Sequence, residues 1–152
     1  MLLDAVLAYL HFAALFVLIW FLARQWSALA AGVYALDPHR LVRMDSGFGW
    51  ASLAVLATGV GRLMYGAKPT AFYLHNPVLY TKVGLFLAVG LISIAPTRRF
   101  LQWRRQRNAD PAFTPTEAQW RQTRRWVSIE LHLLAIVPLL AALMARAIGY
   151  RA

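Results

Sequence analysis

Ionisable side chains inside long apolar stretches are the residues of this sequence that could do chemistry. Five of them stand in or at the edge of such stretches: His11, Asp45, Lys82, Glu130 and His132. Because a charge in hydrocarbon is costly, each of these residues requires a partner, a water path or a cofactor. A neutral imidazole can ligate haem iron, a lysine can neutralise an anion, and a carboxyl group can carry a proton. The set therefore allows redox chemistry at a bound haem, proton transfer, or structural pairing alone.

The apolar stretches that carry these residues have the length of membrane spans. The chain is 60% apolar and only 14% charged, which is about half the charged fraction of soluble proteins. A helix needs about 20 residues to cross about 30 Å of hydrocarbon. We therefore predict an all-α fold, an integral membrane four-helix bundle, in a single domain over residues 1–152. The spans are predicted at about 3–22, 44–64, 77–97 and 126–146.

Proline residues that follow a capping residue mark the starts of three helices. Asp37-Pro38 and Asn76-Pro77 each place proline at the first helical position, and Thr114-Pro115-Thr116-Glu117 is a capping box. The second helix is thus predicted to begin well before Asp45, the third at Pro77 and the fourth near Pro115. Close helix packing is indicated by small residues four positions apart, namely Gly47 with Ala51, Ala57 with Gly61, and Gly84 with Ala88.

The positive charge of the chain, +10 in total, is concentrated beside the apolar stretches. Eight arginines lie in the segment of about 98–125, whereas Arg62 and Lys68 are the only basic residues between the second and third spans. This asymmetry predicts a bacterial inner-membrane protein with segment 98–125 on the anionic cytoplasmic leaflet and both termini in the periplasm. Nucleic acid is not expected as a partner. Residues 100–107 are expected either to lie on the leaflet or to extend the third helix into solvent.

His11 and Lys82 are predicted to lie at similar depth in the outer half of the membrane. Counted from the span starts at 1.5 Å per residue, His11 is about 12 Å and Lys82 about 8 Å below the outer surface. One interpretation makes His11 an axial ligand of a b-type haem with Lys82 beside a propionate. The other makes His11 a structural hydrogen-bonding residue and Lys82 an interfacial lysine.

Glu130 and His132 are predicted to lie near the cytoplasmic surface, at depths of about 6 Å and 9 Å. Glu130 is expected to form an ion pair with Arg40 or Arg43, and proton transfer is the alternative role. His132 is the other histidine within a span. An axial gap of about 9 Å from His11 keeps a bis-histidine haem open as an alternative. The absence of cysteine excludes thiolate catalysis and Cys-ligated metal centres.

Several short motifs resemble a family of small predicted bacterial four-helix membrane proteins of unknown function. They are Tyr9-Leu10-His11, Asn76-Pro77 with Lys82, Pro138-Leu139-Leu140 and Met144-Ala145-Arg146. More distantly, the chain resembles the HemJ-type protoporphyrinogen oxidases, helical membrane proteins that hold a b-type haem. This second resemblance implies that His11, Lys82 and Glu130 stand at the places of that family's characteristic histidine, lysine and glutamate.

The function predicted from these features is that of a haem-b-binding membrane redox protein, with HemJ-like protoporphyrinogen oxidase activity as its most specific form. The predicted cofactor-binding residues are His11, Lys82, Arg43 and Glu130, the predicted iron ligands are His11 and His132, and a porphyrin or a quinone is the expected small-molecule partner. A non-enzymatic membrane subunit without a cofactor is the first alternative. A transporter or channel that acts as a homo-oligomer is the second.

Overall fold

The computed structural model describes residues 2–66, 75 and 77–145, and it folds them into helices without any strand in these ranges. The helices are α1 (Leu2–Ala30), α2 (Pro38–Tyr65), α3 (Pro77–Ala109) and α4 (Glu117–Ala145). The all-α four-helix membrane bundle predicted from the sequence is confirmed for this part of the chain. The predicted cap Asn76 and the last residue of the fourth predicted span, Arg146, lie outside the described residues.

The start of α2 follows the local sequence signal. Asp37 caps this helix through a hydrogen bond in which the backbone N–H of His39 donates to its carboxylate at 2.9 Å. Proline at the first helical position costs no hydrogen bond, because a backbone N–H at this position would have no partner within the helix. The third helix begins at Pro77 for the same reason. Both predicted starts are confirmed.

The start of α4 lies two residues beyond the predicted Pro115. Its first helical residue is Glu117, and the cap is Thr116, whose Oγ1 accepts a hydrogen bond of 3.3 Å from the backbone N–H of Gln119. The predicted cap Thr114 instead donates its hydroxyl to a backbone carbonyl two residues earlier, at 3.5 Å. Thr116, and not Thr114, is therefore the N-cap of α4.

Three of the described helices, α1, α3 and α4, are long and apolar enough to cross a membrane. The more polar helix α2 runs antiparallel beside α1, since Phe21 of α1 lies against Gly47 while His11 contacts Thr58. Helix α2 therefore lies at the same depth as α1. Its outward face is an apolar stripe of helical spacing, as expected for lipid contact: Trp50, Leu53, Leu56, Val60 and Met64 are all exposed.

The end of the bundle formed by residues 24–43 and 98–125, here called the Arg-rich end, has a packed core of its own. Helix α3 continues past the predicted span boundary at 97, and the side chains of Phe100 and Trp103 on this extension are completely buried. The indole N–H of Trp120 donates to the carbonyl of Leu29 at 2.9 Å, which ties α4 to α1. Residues 100–107 thus extend the third helix, which is one of the two alternatives predicted for them, but Phe100 and Trp103 are buried in the bundle and not solvated.

The orientation of the bundle gives a first testable prediction. Because the Arg-rich end should stay in the cytoplasm, an alkaline phosphatase fusion after Arg151, which lies outside the described residues, should be active. A fusion at Asp110, in the connection between α3 and α4, should be inactive. Fusion activities measured in intact cells, normalised to the amount of each fusion, provide the test. An active Asp110 fusion together with an inactive Arg151 fusion would reverse the orientation.

Candidate functional site

His11 is held by a hydrogen bond between the first two helices. Its Nδ1 lies 3.0 Å from the hydroxyl oxygen of Thr58. The Thr58 hydroxyl already donates its only proton to the backbone carbonyl of Ala54, at 2.6 Å. Nδ1–H of His11 must therefore be the donor to Thr58, because a hydroxyl has one proton but two lone pairs. In this tautomer the lone pair of the ring is on Nε2.

Gly59 of α2 lies against the imidazole of His11, at a distance that leaves room for ordinary van der Waals contact. A Cβ atom at this position would lie 3.4 Å from Cε1 of His11, the ring carbon between the two nitrogens. Arg62 comes one turn of α2 after Thr58, and its guanidinium carbon lies 5.8 Å from the ring centroid of Phe12. The imidazole of His11 is therefore bordered by a glycine on one side and by a guanidinium group nearby.

A second cation reaches this place from α3. Lys82 is half-buried, and both Lys82 and Arg62 are close enough to act electrostatically on His11 and on each other. Within the described ranges, neither cation forms an ion pair, since the one salt bridge there joins Arg121 to Glu117. The Nε atom of Arg62 is buried and has no hydrogen-bond partner. His11, Arg62 and Lys82 thus form a cluster with two positive charges, here called the His11 cluster, in which neither cation has an ion-pair partner among the described residues.

His11 and Lys82 are predicted from the sequence to lie at similar depth, whereas Arg62 and Thr58 were not among the predicted site residues. Arg62 marked only the end of an apolar stretch, where a charged residue commonly sits at the membrane surface. The available signal was the spacing of Thr58 and Arg62, which puts both on one face of α2. Which helix that face would meet could not be derived from α2 alone.

A second polar cluster lies toward the Arg-rich end and takes one side chain from each helix. The residues are Gln25 of α1, Asp45 of α2, Thr97 of α3 and Glu130 of α4. The Asp45 carboxylate interacts with the Thr97 hydroxyl and with the Gln25 amide, and Glu130 lies within electrostatic range of Asp45. Gln25 and Glu130 are each only 1% exposed. The Nε2 atom of Gln25, although beside Asp45, completes no hydrogen bond of full geometry.

The predicted ion pair of Glu130 with Arg40 or Arg43 is wrong. Both arginines are exposed, and neither forms a salt bridge with Glu130. Asp45 lies two positions after Arg43, about 200° around the helix, so α2 turns the acid inward and the arginine outward. Glu130 therefore meets Asp45, another acid. Arg43 and Glu130 also lie far from the His11 cluster, so the structure does not bring the four predicted cofactor-binding residues together.

His132 does not approach His11. Its side chain is exposed, and its Nδ1 lies 2.6 Å from the carbonyl oxygen of Ser128 one turn earlier. His11 precedes Gln25 by 14 residues, or about 21 Å of helix. Glu130 is level with Gln25 along the bundle. His132 follows Glu130 by only two residues. The axial gap is therefore about 18 Å, twice the predicted value. A gap of this size argues against one haem that both histidines ligate.

The surface around His132 is a groove beside α4 at the Arg-rich end, with a volume of about 520 Å³. Trp26 and three arginines line it near His132, and apolar side chains continue it toward the membrane. The guanidinium of Arg124 lies between two indole rings here, 5.9 Å from the centroid of Trp26 and 5.6 Å from that of Trp120. No cluster of three or more His, Asp or Glu side chains that could hold a metal ion occurs in the described ranges.

Comparison with known proteins gives a family for nearly the whole chain. The family model described as "Predicted membrane protein (DUF2214)" matches residues 3–149. Neither the curated proteins nor the solved structures contain a match. The family description agrees with the membrane-spanning helices of the structure, and it leaves the chemistry to be argued from the two polar clusters.

Proposed function

We propose that this chain, which belongs to the DUF2214 family of predicted membrane proteins, binds a b-type haem through His11 and serves in electron transfer within the membrane. The observation that carries the proposal is the state of the His11 imidazole. Its Nδ1 bonds to Thr58, this tautomer places a lone pair on Nε2, and two cations that form no ion pair within the described residues act on it electrostatically.

The first support is the orientation of the imidazole. Histidines that ligate metals commonly donate their second ring N–H to a fixed acceptor, which sets the tautomer and the direction of the ligating nitrogen. Thr58 supplies such an acceptor, and its own hydroxyl is fixed by the bond to Ala54. The Nε2 atom of His11 would then be the axial ligand of the iron.

The second support is the charge of the His11 cluster. A haem carries two propionate groups, and Arg62 and Lys82 supply two positive charges from two different helices. An anion in this place would offset the repulsion between the two cations and satisfy the buried Nε of Arg62. A bound haem would supply one-electron chemistry, while the protein would supply its ligand and its counter-charges.

The more specific form of the proposal is a HemJ-like oxidation of protoporphyrinogen. The placement of His11 and Lys82 on the first and third helices supports it. Glu130 would not take part at the iron, because it lies about 20 Å farther along the bundle. Any role of Glu130 in such a reaction would be carried out at a distance.

A visible absorption spectrum of the protein purified in detergent from haem-sufficient cells tests the proposal. We expect a Soret band, and α and β bands after reduction with dithionite, at a haem content near one per chain. Haem extracted as its pyridine complex gives that content independently. A folded protein that is colourless under these conditions would refute haem binding and favour a membrane subunit without a cofactor.

A further inference from the structure

Glu130 is an almost completely buried acid that forms no ion pair with any residue that the structure describes. Only 1% of the residue is exposed, and its Oε1 atom has no hydrogen-bond partner. The charged group that faces it is Asp45, which has the same sign. Two ionised carboxylates in a medium of low dielectric constant would repel each other and would both lose their hydration. The pair therefore cannot carry two negative charges.

On each helix, an arginine close in sequence to this cluster is exposed or lies near an aromatic ring. On α1, Arg24 lies over an indole ring, 4.8 Å from its centroid. Arg43 on α2 and Arg98 on α3 are exposed, and Arg124 on α4 lies between two tryptophan rings. The remaining titratable groups close by are the exposed Arg40, the exposed His132, and Arg99, which donates to Gln102 at 3.4 Å.

We propose that Asp45 and Glu130 form an acid pair that holds one exchangeable proton. The proton forms an O–H bond on one carboxyl group, the other group remains a carboxylate, and the pair carries one negative charge. In other proteins a pair of nearby acids also holds a single proton, because the negative charge of one acid disfavours ionisation of the other.

The hydrogen-bond donors near the two acids indicate that the proton is on Glu130. The Thr97 hydroxyl interacts with the Asp45 carboxylate, and a donor of this kind favours the ionised form of the group that it faces. Glu130 has no such donor, and its Oε1 is unpartnered. Asp45 is also the less buried of the two acids, so the proton would exchange with water through it at the Arg-rich end.

The acid pair lies about 20 Å from the His11 cluster, and the inference does not depend on haem. It gives the bundle a proton-binding site in the half of the membrane next to the Arg-rich end. The residues of this site come from all four helices, so proton binding and the packing of the helices are linked there. A change in the spacing of α2 and α4 would change the ease of proton release.

Infrared spectroscopy of the lipid-reconstituted protein tests this inference, because a protonated carboxyl group has a carbonyl-stretching band separate from that of a carboxylate. At neutral pH we expect one such band, shifted by exchange into D₂O and lost in Glu130→Gln. Glu117→Gln on the same helix is the matched control, since Glu117 is exposed and paired with Arg121. It should keep the band.

Glu130→Gln replaces a protonated carboxyl group by an amide of similar shape, so the variant should fold, and its circular dichroism checks this. In Asp45→Asn the band of Glu130 should remain but change in frequency, because the negative charge that acts on Glu130 electrostatically is gone. Absence of a protonated carboxyl band in the wild-type protein at neutral pH would overturn the proposal. A band that persists unchanged in both variants would overturn it as well.

Discussion

Haem absorption is expected to disappear from the protein when His11 is replaced by alanine. In the proposed site the Nε2 atom of this residue is the ligand that the chain supplies from the His11 cluster, and alanine cannot replace it. The measurement is the Soret absorbance per mole of purified protein, together with haem content. His132→Ala is the matched control, since His132 is exposed and about 18 Å away along the bundle. It should leave the spectrum unchanged.

Variants of the residues around His11 distinguish loss of the iron ligand from a general disturbance of the packing of α1 against α2. Thr58→Val removes the acceptor of the Nδ1–H and should weaken haem binding by about 10–100-fold, as other losses of such supporting bonds do. Lys82→Gln and Arg62→Gln should weaken binding without changing the ligand signature of the spectrum, because a propionate contact does not touch the iron. Full haem retention in His11→Ala would contradict the proposed ligand.

A leucine at position 47 is expected to lower the free energy of unfolding by about 1–3 kcal/mol, the usual cost of overpacking a tight contact. Gly47 of α2 lies so close to the ring of Phe21 of α1 that a Cβ atom would overlap the ring. Gly49→Leu is the matched control, because nothing lies within 4 Å of a Cβ at that position of the same helix. Thermal and denaturant unfolding in detergent, followed by circular dichroism, provide the comparison.

The cause of the Gly47 effect can be tested by removing the ring. In the double variant with Phe21→Ala, the leucine at position 47 gains space, so the loss of stability should be smaller than the sum of the two single losses. Equal destabilisation by Gly47→Leu and Gly49→Leu would show that the loss comes from a bulky residue in α2 and not from its contact with α1.

The pairs of small residues four positions apart show what a sequence spacing can and cannot predict about helix packing. Gly47 and Gly61 of α2 do face α1, where Phe21 and Leu7 lie against them. Gly84 of α3 has nothing within 4 Å of a Cβ, so the same four-residue spacing marks no close contact there. A spacing shows that two positions share a face of a helix. It does not show which helix, if any, that face meets.

The capping motifs predict the first residue of a helix correctly where a single local hydrogen bond determines it. Asp37 bonds to the backbone two residues on, and no other element competes for that bond. At the start of α4, two threonines offered a cap within three positions, and the choice of Thr116 moved the boundary by two residues. Local signals therefore fixed the helices to within about one turn.

The sequence by itself determined that this protein is a membrane bundle of helices and that His11 and Lys82 share a depth. Composition, capping and the count of 1.5 Å per residue depend only on distance along the chain. The partners across the bundle were decided by the tertiary structure. Glu130 meets Asp45 and not an arginine because the rotation of α2 about its axis, which follows from packing against α1, turns residue 45 inward and residue 43 outward. The same packing brings Thr58 and Arg62 to His11.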